Sequence, residues 1–274
     1  MFLVYPSIDT FRRSLMNSNS TEFVGLESYA RVFAKEETQL ALLNSLLWMI
    51  VFTGVTTLLG LLIAVMIERV WYDVIVKTLV FLPMAISFTA AAVIWRFVYG
   101  FQPTGFPQWG AANAALTTLG FDSHPFLISK EVIPFYGINN VAVIVAAVWM
   151  TTGFAMMVFS AAIRSLPQEL LEAARVDGAK EWQVFWHIIR PSIMPTIYVV
   201  ATVLVISALK VFDLVFVMTG GLFETDVVAN RMYKEMFEYR EFGIATALSV
   251  ILLFLSLPVI AINIRRFRRQ ERER

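Results

Sequence analysis

Long apolar runs dominate this chain, each near the roughly 20 residues that a helix needs to cross a bilayer. They place spans over residues 44–67, 74–99, 141–163, 196–218 and 243–264, and predict an all-α, polytopic membrane bundle. Charged residues make up 16% of the 274 positions and hydrophobic ones 58%, whereas an ordinary soluble domain carries about a quarter charged. Pro83 predicts a kink in the second span. Thr219-Gly220-Gly221 closes the fourth. Residues 1–43 form an N-terminal outer segment, 44–264 the transmembrane domain and 265–274 a basic tail. Met1 to Pro6 reads as the tail end of a span, with too few apolar residues before Pro6 to complete one. A truncated first span and a genuine short tail both fit. Residues 100–140 read as a small cap, with His124 on its surface.

Composition narrows the chemistry. A net charge of +1 implies no general attraction to nucleic acid. Absence of Cys removes disulfides and thiolates, and two His supply no His-rich metal cluster. No phosphate-cradling G-x-x-x-x-G-K-[ST] stretch is present, so any ATP hydrolysis belongs to another polypeptide. No nucleophile–base pair or carboxylate cluster stands out, so no catalytic, cofactor-binding or metal residues are assigned. Lys and Arg favour the side holding residues 165–195 and the tail, through Arg69, Lys77, Arg164, Arg175, Lys180 and Arg190. The tail reads as a stop-transfer anchor on anionic lipid.

Between the third and fourth runs lies the most informative stretch, 165–195. Ser165 followed by Gln168 reads as a capping box, with Pro167 in the first turn. Leu170, Ala173, Ala174 and Val176 supply an apolar side, and Glu169, Glu172 and Arg175 a polar one. Asp177-Gly178 ends that helix, since Gly accepts the left-handed conformation. A second helix carries Trp182, Phe185, Trp186 and Ile189, punctuated by Pro191 and Pro195.

Glu172-Ala173-Ala174, Asp177-Gly178-Ala179, Phe185, Ile188 and Pro191 resemble the EAA loop of binding-protein-dependent ABC importers. The resemblance implies the type I (MetI-like) permease fold, and a cytoplasmic loop docking into an ATPase subunit through Glu172, Ala173, Ala174, Asp177 and Gly178. It implies as partners an ABC ATPase dimer, a second homologous permease subunit, an extracytoplasmic sugar-binding protein and membrane lipid. ATP and Mg would sit on the ATPase, with no cofactor on this chain. The setting would be the bacterial inner membrane, with loop and C-terminus cytoplasmic. Relatives usually carry a further N-terminal helix ending in Tyr-Pro, and residues 23–29 resemble an outer-side motif.

Trp149 to Phe154 interrupt aliphatic sequence in the third span. Rings with hydroxyls near their edges suit a neutral polyol, while Thr152 and Gly153 equally suit helix packing. By resemblance this stretch falls where the maltose importer's permease meets its sugar. Residues 209–216 resemble the carbohydrate branch. Leu222-Phe223-Glu224-Thr225, with Asn230, Tyr233 and Phe237, resembles permeases for alpha-glucosides and glucosylglycerol. The substrate path is therefore expected at Trp149, Thr151, Phe154, Lys210 and Asp213, carrying a di- or oligosaccharide by alternating access. Lys210 and Asp213, three apart, are expected on one helical face within reach of each other. Either a structural ion pair or a sugar-binding one fits. Glycerol 3-phosphate is the rival cargo, and a membrane-embedded enzyme the rival class.

Overall fold

The computed structural model describes residues 4–68, 70–103, 105–133 and 136–272, with side chains up to residue 258 except those of 133 and 136. Arg69, the start at Met1-Phe2-Leu3 and the side chains of the basic tail lie outside that description. The helices are α1 (Val4–Ser14), α2 (Glu27–Ala34), α3 (Glu36–Ile67), α4 (Asp73–Phe81), α5 (Phe88–Val98), α6 (Ala111–Thr118) and α7 (Ile138–Arg164). There follow α8 (Gln168–Val176), α9 (Glu181–Val184), α10 (Arg190–Leu209), α11 (Asp213–Met218), α12 (Val228–Tyr233) and α13 (Phe242–Arg272). Between α6 and α7, strands β1 (Val132–Ile133) and β2 (Tyr136–Gly137) pair antiparallel with Ile133 opposite Tyr136. The expected all-α architecture holds.

α3 begins at Glu36, eight residues ahead of the expected start, because Glu36 and Glu37 suit the positive end of a helix dipole. Its 32 residues rise about 48 Å, more than a hydrocarbon layer of about 30 Å requires. Ala41, Asn44, Ser45, Trp48, Phe52, Thr56, Gly60 and Ala64 are buried at helical spacing. Leu43, Ile50, Leu58 and Leu62 on the other side are exposed. The contact stripe is rich in small residues, and α3 runs against α7 so closely that a Cβ on Gly60 would meet Ala155 Cβ at 2.5 Å. A Cβ on Gly153 would likewise meet Val80 O of α4 at 2.5 Å, so that glycine serves helix packing.

Two spans differ from their sequence reading. Residues 73–98 are not one kinked helix: α4 passes through a 3₁₀ turn (Leu82–Ala85) into α5 with a bend of 102°. Pro83 cannot donate, and Ser87 restarts the helix by accepting the Ala90 N–H at 3.1 Å. The fourth span is shifted. A continuous helix runs Glu181–Leu209, and residues 213–218 form a separate piece after a break. Pro191 and Pro195 lie inside this helix and do not end it. A π turn over Phe185–Ile189, where the Arg190 N–H reaches Phe185 O, widens the helix just before Pro191. α13 extends past the expected residue 264 to Arg272 and contains Pro258.

At the end opposite the 165–195 loop, α1 packs along α13. Arg31 pairs with Glu241 at 3.1 Å, and Ser18 donates to the same carboxylate. That hydroxyl, ahead of the arginine, holds Glu241 below the usual carboxylate range. His124 is not a free surface residue. Its backbone N–H donates to Asn113 Oδ1 at 2.7 Å and its ring packs on Phe126, which fixes the cap.

Gly60→Leu should overpack the crossing at a cost of about 1–3 kcal/mol. Gly54 has no atom within 4 Å of its hypothetical Cβ, so Gly54→Ala should be neutral or stabilising by up to about 1 kcal/mol. Thermal unfolding in detergent reads both. An unchanged melting temperature for Gly60→Leu would remove the crossing from the account.

Candidate functional site

The 165–195 loop is a helical hairpin with one face anchored and the other open. Leu171 is buried with Ile163, Val184 and Ile189, and Ala174 packs beside them. Leu170, Ala173 and Val176 face outward, Val176 at 86% exposure, as do Glu172 and Asp177. The apolar residues of α8 thus divide between two faces. The expected Ser165 capping box does not form: Ser165 Oγ donates back to Ala162 O, and Pro167 occupies the cap. The hairpin has its reciprocal contact one helix later, where the Lys180 N–H donates to Gln183 Oε1 at 2.7 Å. Gly178 has φ +84°, with Gly178 N–H on Arg175 O and Ala179 N–H on Ala174 O, the double closure of a Schellman turn. Arg175 bridges the turn to Glu181 at 3.2 Å.

Just above the hairpin, Arg164 donates to Glu68 at 2.7 Å and contacts Asp73, which also holds Lys77 at 2.9 Å. The ends of α3, α4 and α7 therefore meet in one ion cluster at the loop's root. Sequence counting placed Arg164 and Lys77 on this side without their partners.

The second site lies where the two broken spans face each other. A cavity of about 220 Å³ is lined by Trp48, Phe52, Phe88, Ala147, Ser207, Ala208 and residues 210–214. The break at Lys210-Val211-Phe212 (Phe212 φ −134°, ψ −60°) carries Lys210 and Asp213 to its wall, both exposed. They do not pair as expected, because the break separates their faces. Asp213 Oδ1 instead accepts from Thr89 Oγ1 at 3.1 Å, across from α5. Trp149, Thr151 and Phe154 do not line this cavity. Trp149 packs edge-on against Trp95 at 5.7 Å, Thr151 donates to Ala147 O, and Phe154 is half-buried against the core.

Several residues at this site escaped the sequence reading, among them Trp48 and Phe88 of the cavity wall and Thr89, which holds Asp213. Trp48 is 1% exposed, and its Nε1–H has no hydrogen-bond partner among the described residues. Phe88 and Thr89 follow the Ser87 cap, a restart signal visible only once Pro83 is taken as a break. Beyond α11, Phe223 and Glu224 adopt positive φ of 56° and 66°. Asn44, Asn139 and Asn140 hold this turn by donating to the carbonyls of Phe223, Glu224 and Asp226. Burial pushes the Asp226 carboxyl above its usual range, opposed by Asn230, Lys234 and Arg231. The buried Arg231 pairs with Glu235 at 2.9 Å and with Glu37 of α3.

The family model described as binding-protein-dependent transport system inner membrane component matches residues 56–270. The chain is 46% identical to the osmoprotective compounds uptake permease protein GgtC of Synechocystis sp., over 100% of this chain and 96% of that protein. It is 40% identical to the alpha-glucoside transport system permease protein AglF of Rhizobium meliloti, over 98% of this chain and 79% of that one. A crystal structure of a bacterial alginate ABC transporter, in complex with alginate pentasaccharide-bound periplasmic protein, superposes with a TM-score of 0.82 at 26% identity. That match covers 98% of this chain and 89% of that one.

The Asp213 contact generates a measurable contrast. A double-mutant cycle between Thr89→Val and Asp213→Ala should show coupling of about 0.5–1.5 kcal/mol in thermal stability. The cycle between Lys210→Met and Asp213→Asn should couple by less than about 0.5 kcal/mol. Strong coupling in the second cycle would restore the ion pair.

Proposed function

The chain belongs to the family of binding-protein-dependent transport system inner membrane components, and from that premise we propose how it couples ATP hydrolysis to import of an alpha-glucoside-like di- or oligosaccharide. It is a multi-pass inner membrane permease of the sugar ABC importer kind. An external binding protein delivers cargo at the end bearing α12. The 165–195 hairpin and the C-terminus lie in the cytoplasm, where the hairpin seats in an ATPase dimer that holds the ATP and Mg. This chain binds no cofactor and performs no covalent chemistry.

The observation that carries the coupling role is the two-faced α8. Leu171 and Ala174 fix it to the permease, leaving Leu170, Ala173 and Val176 as an unoccupied apolar face beside Glu172 and Asp177. A rigid hairpin closed by Gly178 transmits a push from the ATPase to α7 and, through Arg164, to α3 and α4. Alternating access then follows as the two broken spans shift about the cavity between them.

The cavity suits a neutral hydroxylated cargo. Phe88 and Phe212 offer ring faces, and Ser207, Lys210 and Asp213 offer polar edges. Lys210 is the one cation among the lining residues, a poor match to a phosphate ester such as glycerol 3-phosphate, which favours an Arg or Lys cluster. At about 220 Å³ the cavity is smaller than the roughly 300–1,000 Å³ of a complete ligand site. A second homologous permease supplies the rest.

Gly178→Val tests the coupling step. No atom crowds that position, so the cost is backbone strain alone, about 1–2 kcal/mol. In proteoliposomes holding the whole importer, ATP hydrolysis stimulated by loaded binding protein should fall severalfold while membrane insertion is unchanged. Wild-type stimulation in this variant would refute the hairpin's role. Uptake of radiolabelled alpha-glucosides in preference to glycerol 3-phosphate checks the cargo.

A further inference from the structure

The rings of Phe212, Phe216, Tyr233 and Phe237 form one continuous cluster joining the cavity to the surface near α12. Phe212 and Phe216 stack at 5.1 Å with an interplanar angle of 22°. Tyr233 sits 5.2 Å from Phe212 and 5.3 Å from Phe216, and Phe237 lies 4.9 Å from Tyr233. The first ring lines the cavity, and the last is 65% exposed. These four aromatic side chains do not serve as core here, since neither Phe216 nor Phe237 is buried.

Lipid does not fit as their cover. Phe212 stands between the exposed Lys210 and Asp213 on the same cavity wall, and charges of that kind facing hydrocarbon cost several kcal/mol. Apolar ring faces beside polar groups, continuous with a cavity, match the chemistry of a sugar: a C–H face to stack and hydroxyls at its edge to bind. The cavity itself, at about 220 Å³, has no space for a second ring.

We infer that Phe212, Phe216, Tyr233 and Phe237 form a second sugar subsite, which holds the trailing ring of a glycoside with two or more rings while the cavity holds the leading one. This rests on the sugar-importer reading above and adds a length preference to it. The subsite follows the backbone: the break at residues 210–212 turns α11 so that its rings meet those of α12 and the π turn after it.

The test compares uptake of maltose (two rings) and methyl α-glucoside (one ring) by the whole importer in proteoliposomes. One saturating binding protein serves every variant, so a changed uptake ratio belongs to the permease. Phe216→Leu and Phe237→Leu keep apolar bulk but remove the ring. They should lower maltose uptake about five- to tenfold, the equivalent of one or two lost ring contacts. Methyl α-glucoside uptake and stimulated ATP hydrolysis should stay near wild type, and Phe237→Tyr should preserve both cargoes. Unchanged maltose uptake in the Leu variants, or equal loss of both sugars, overturns the subsite and reduces the cluster to packing. Should the Leu variants fail to assemble, Phe237→Trp decides: maltose, but not methyl α-glucoside, should alter its emission relative to wild type, and no change overturns the proposal. A wild-type importer that carries methyl α-glucoside but no maltose defeats the subsite and leaves the sugar reading standing. One that carries neither sugar defeats both.

Discussion

Inside an apolar bundle, a backbone N–H or C=O released from a helix must find another partner or cost several kcal/mol. That demand organises this protein. Two of its spans are interrupted, at residues 82–87 and 210–212, and every feature of the cavity end follows from how those interruptions are satisfied. Ser87 takes the Ala90 N–H to restart one helix. Lys210 and Val211 N–H groups tighten onto Ser207 and Ala208 carbonyls to finish the other. The turn beyond α11 leaves carbonyls at Phe223, Glu224 and Asp226, and three asparagine side chains from α3 and α7 collect them. Asn44, Asn139 and Asn140 are expensive residues to bury, and this turn is what makes them worth burying. They also over-determine a bulky residue, Phe223, in the left-handed region, where it would otherwise relax.

Between these polar devices α7 acts as the common rod. Its small residues let α3 and α4 approach almost backbone to backbone, at Ala155 and Gly153. In its first half it borders the cavity through Ala147, and at its far end it delivers Arg164 to Glu68 and Asp73. The hairpin begins one residue later. A displacement of the hairpin therefore acts on three helix ends held in a single ion cluster. Those ends belong to the helices that carry Trp48, Ala147 and, across the 102° bend, Phe88. Loop and cavity are thus joined by continuous packing.

Sequence made the hairpin readable because its punctuation is chemical: Asp177-Gly178 supplies a left-handed terminus that the backbone uses at φ +84°. Span existence was equally plain, since apolar runs of membrane length have few other outcomes. Boundaries were not. The break at 210–212 contains no Gly or Pro, so nothing local announces it; beyond it α11 packs against α5. Pro191 and Pro195 looked like stops, yet the helix runs on through both, widened by the π turn just before Pro191. The same break undid the expected Lys210–Asp213 pair, which assumed unbroken helical spacing. Trp149, Thr151 and Phe154 were singled out for texture, but periodicity cannot say which face of α7 meets a cavity. Trp48 looked like ordinary span residue, and only the closed geometry reveals its unpartnered N–H.

The distribution of charge finally separates two kinds of exposed surface. Along α3 the outward residues Leu43, Ile50, Leu58 and Leu62 are purely aliphatic, a surface that hydrocarbon covers at no cost. Around residues 207–216 the exposed set mixes Ser207, Lys210 and Asp213 with aromatic rings. Hydrocarbon cannot cover that set cheaply, and a dry protein partner would have to match each charge. Water and a hydroxylated solute can meet both needs at once, hydrating the charges while stacking on the rings. The break in α10–α11 is thus the feature that sets charges and rings side by side on an otherwise lipid-compatible helix.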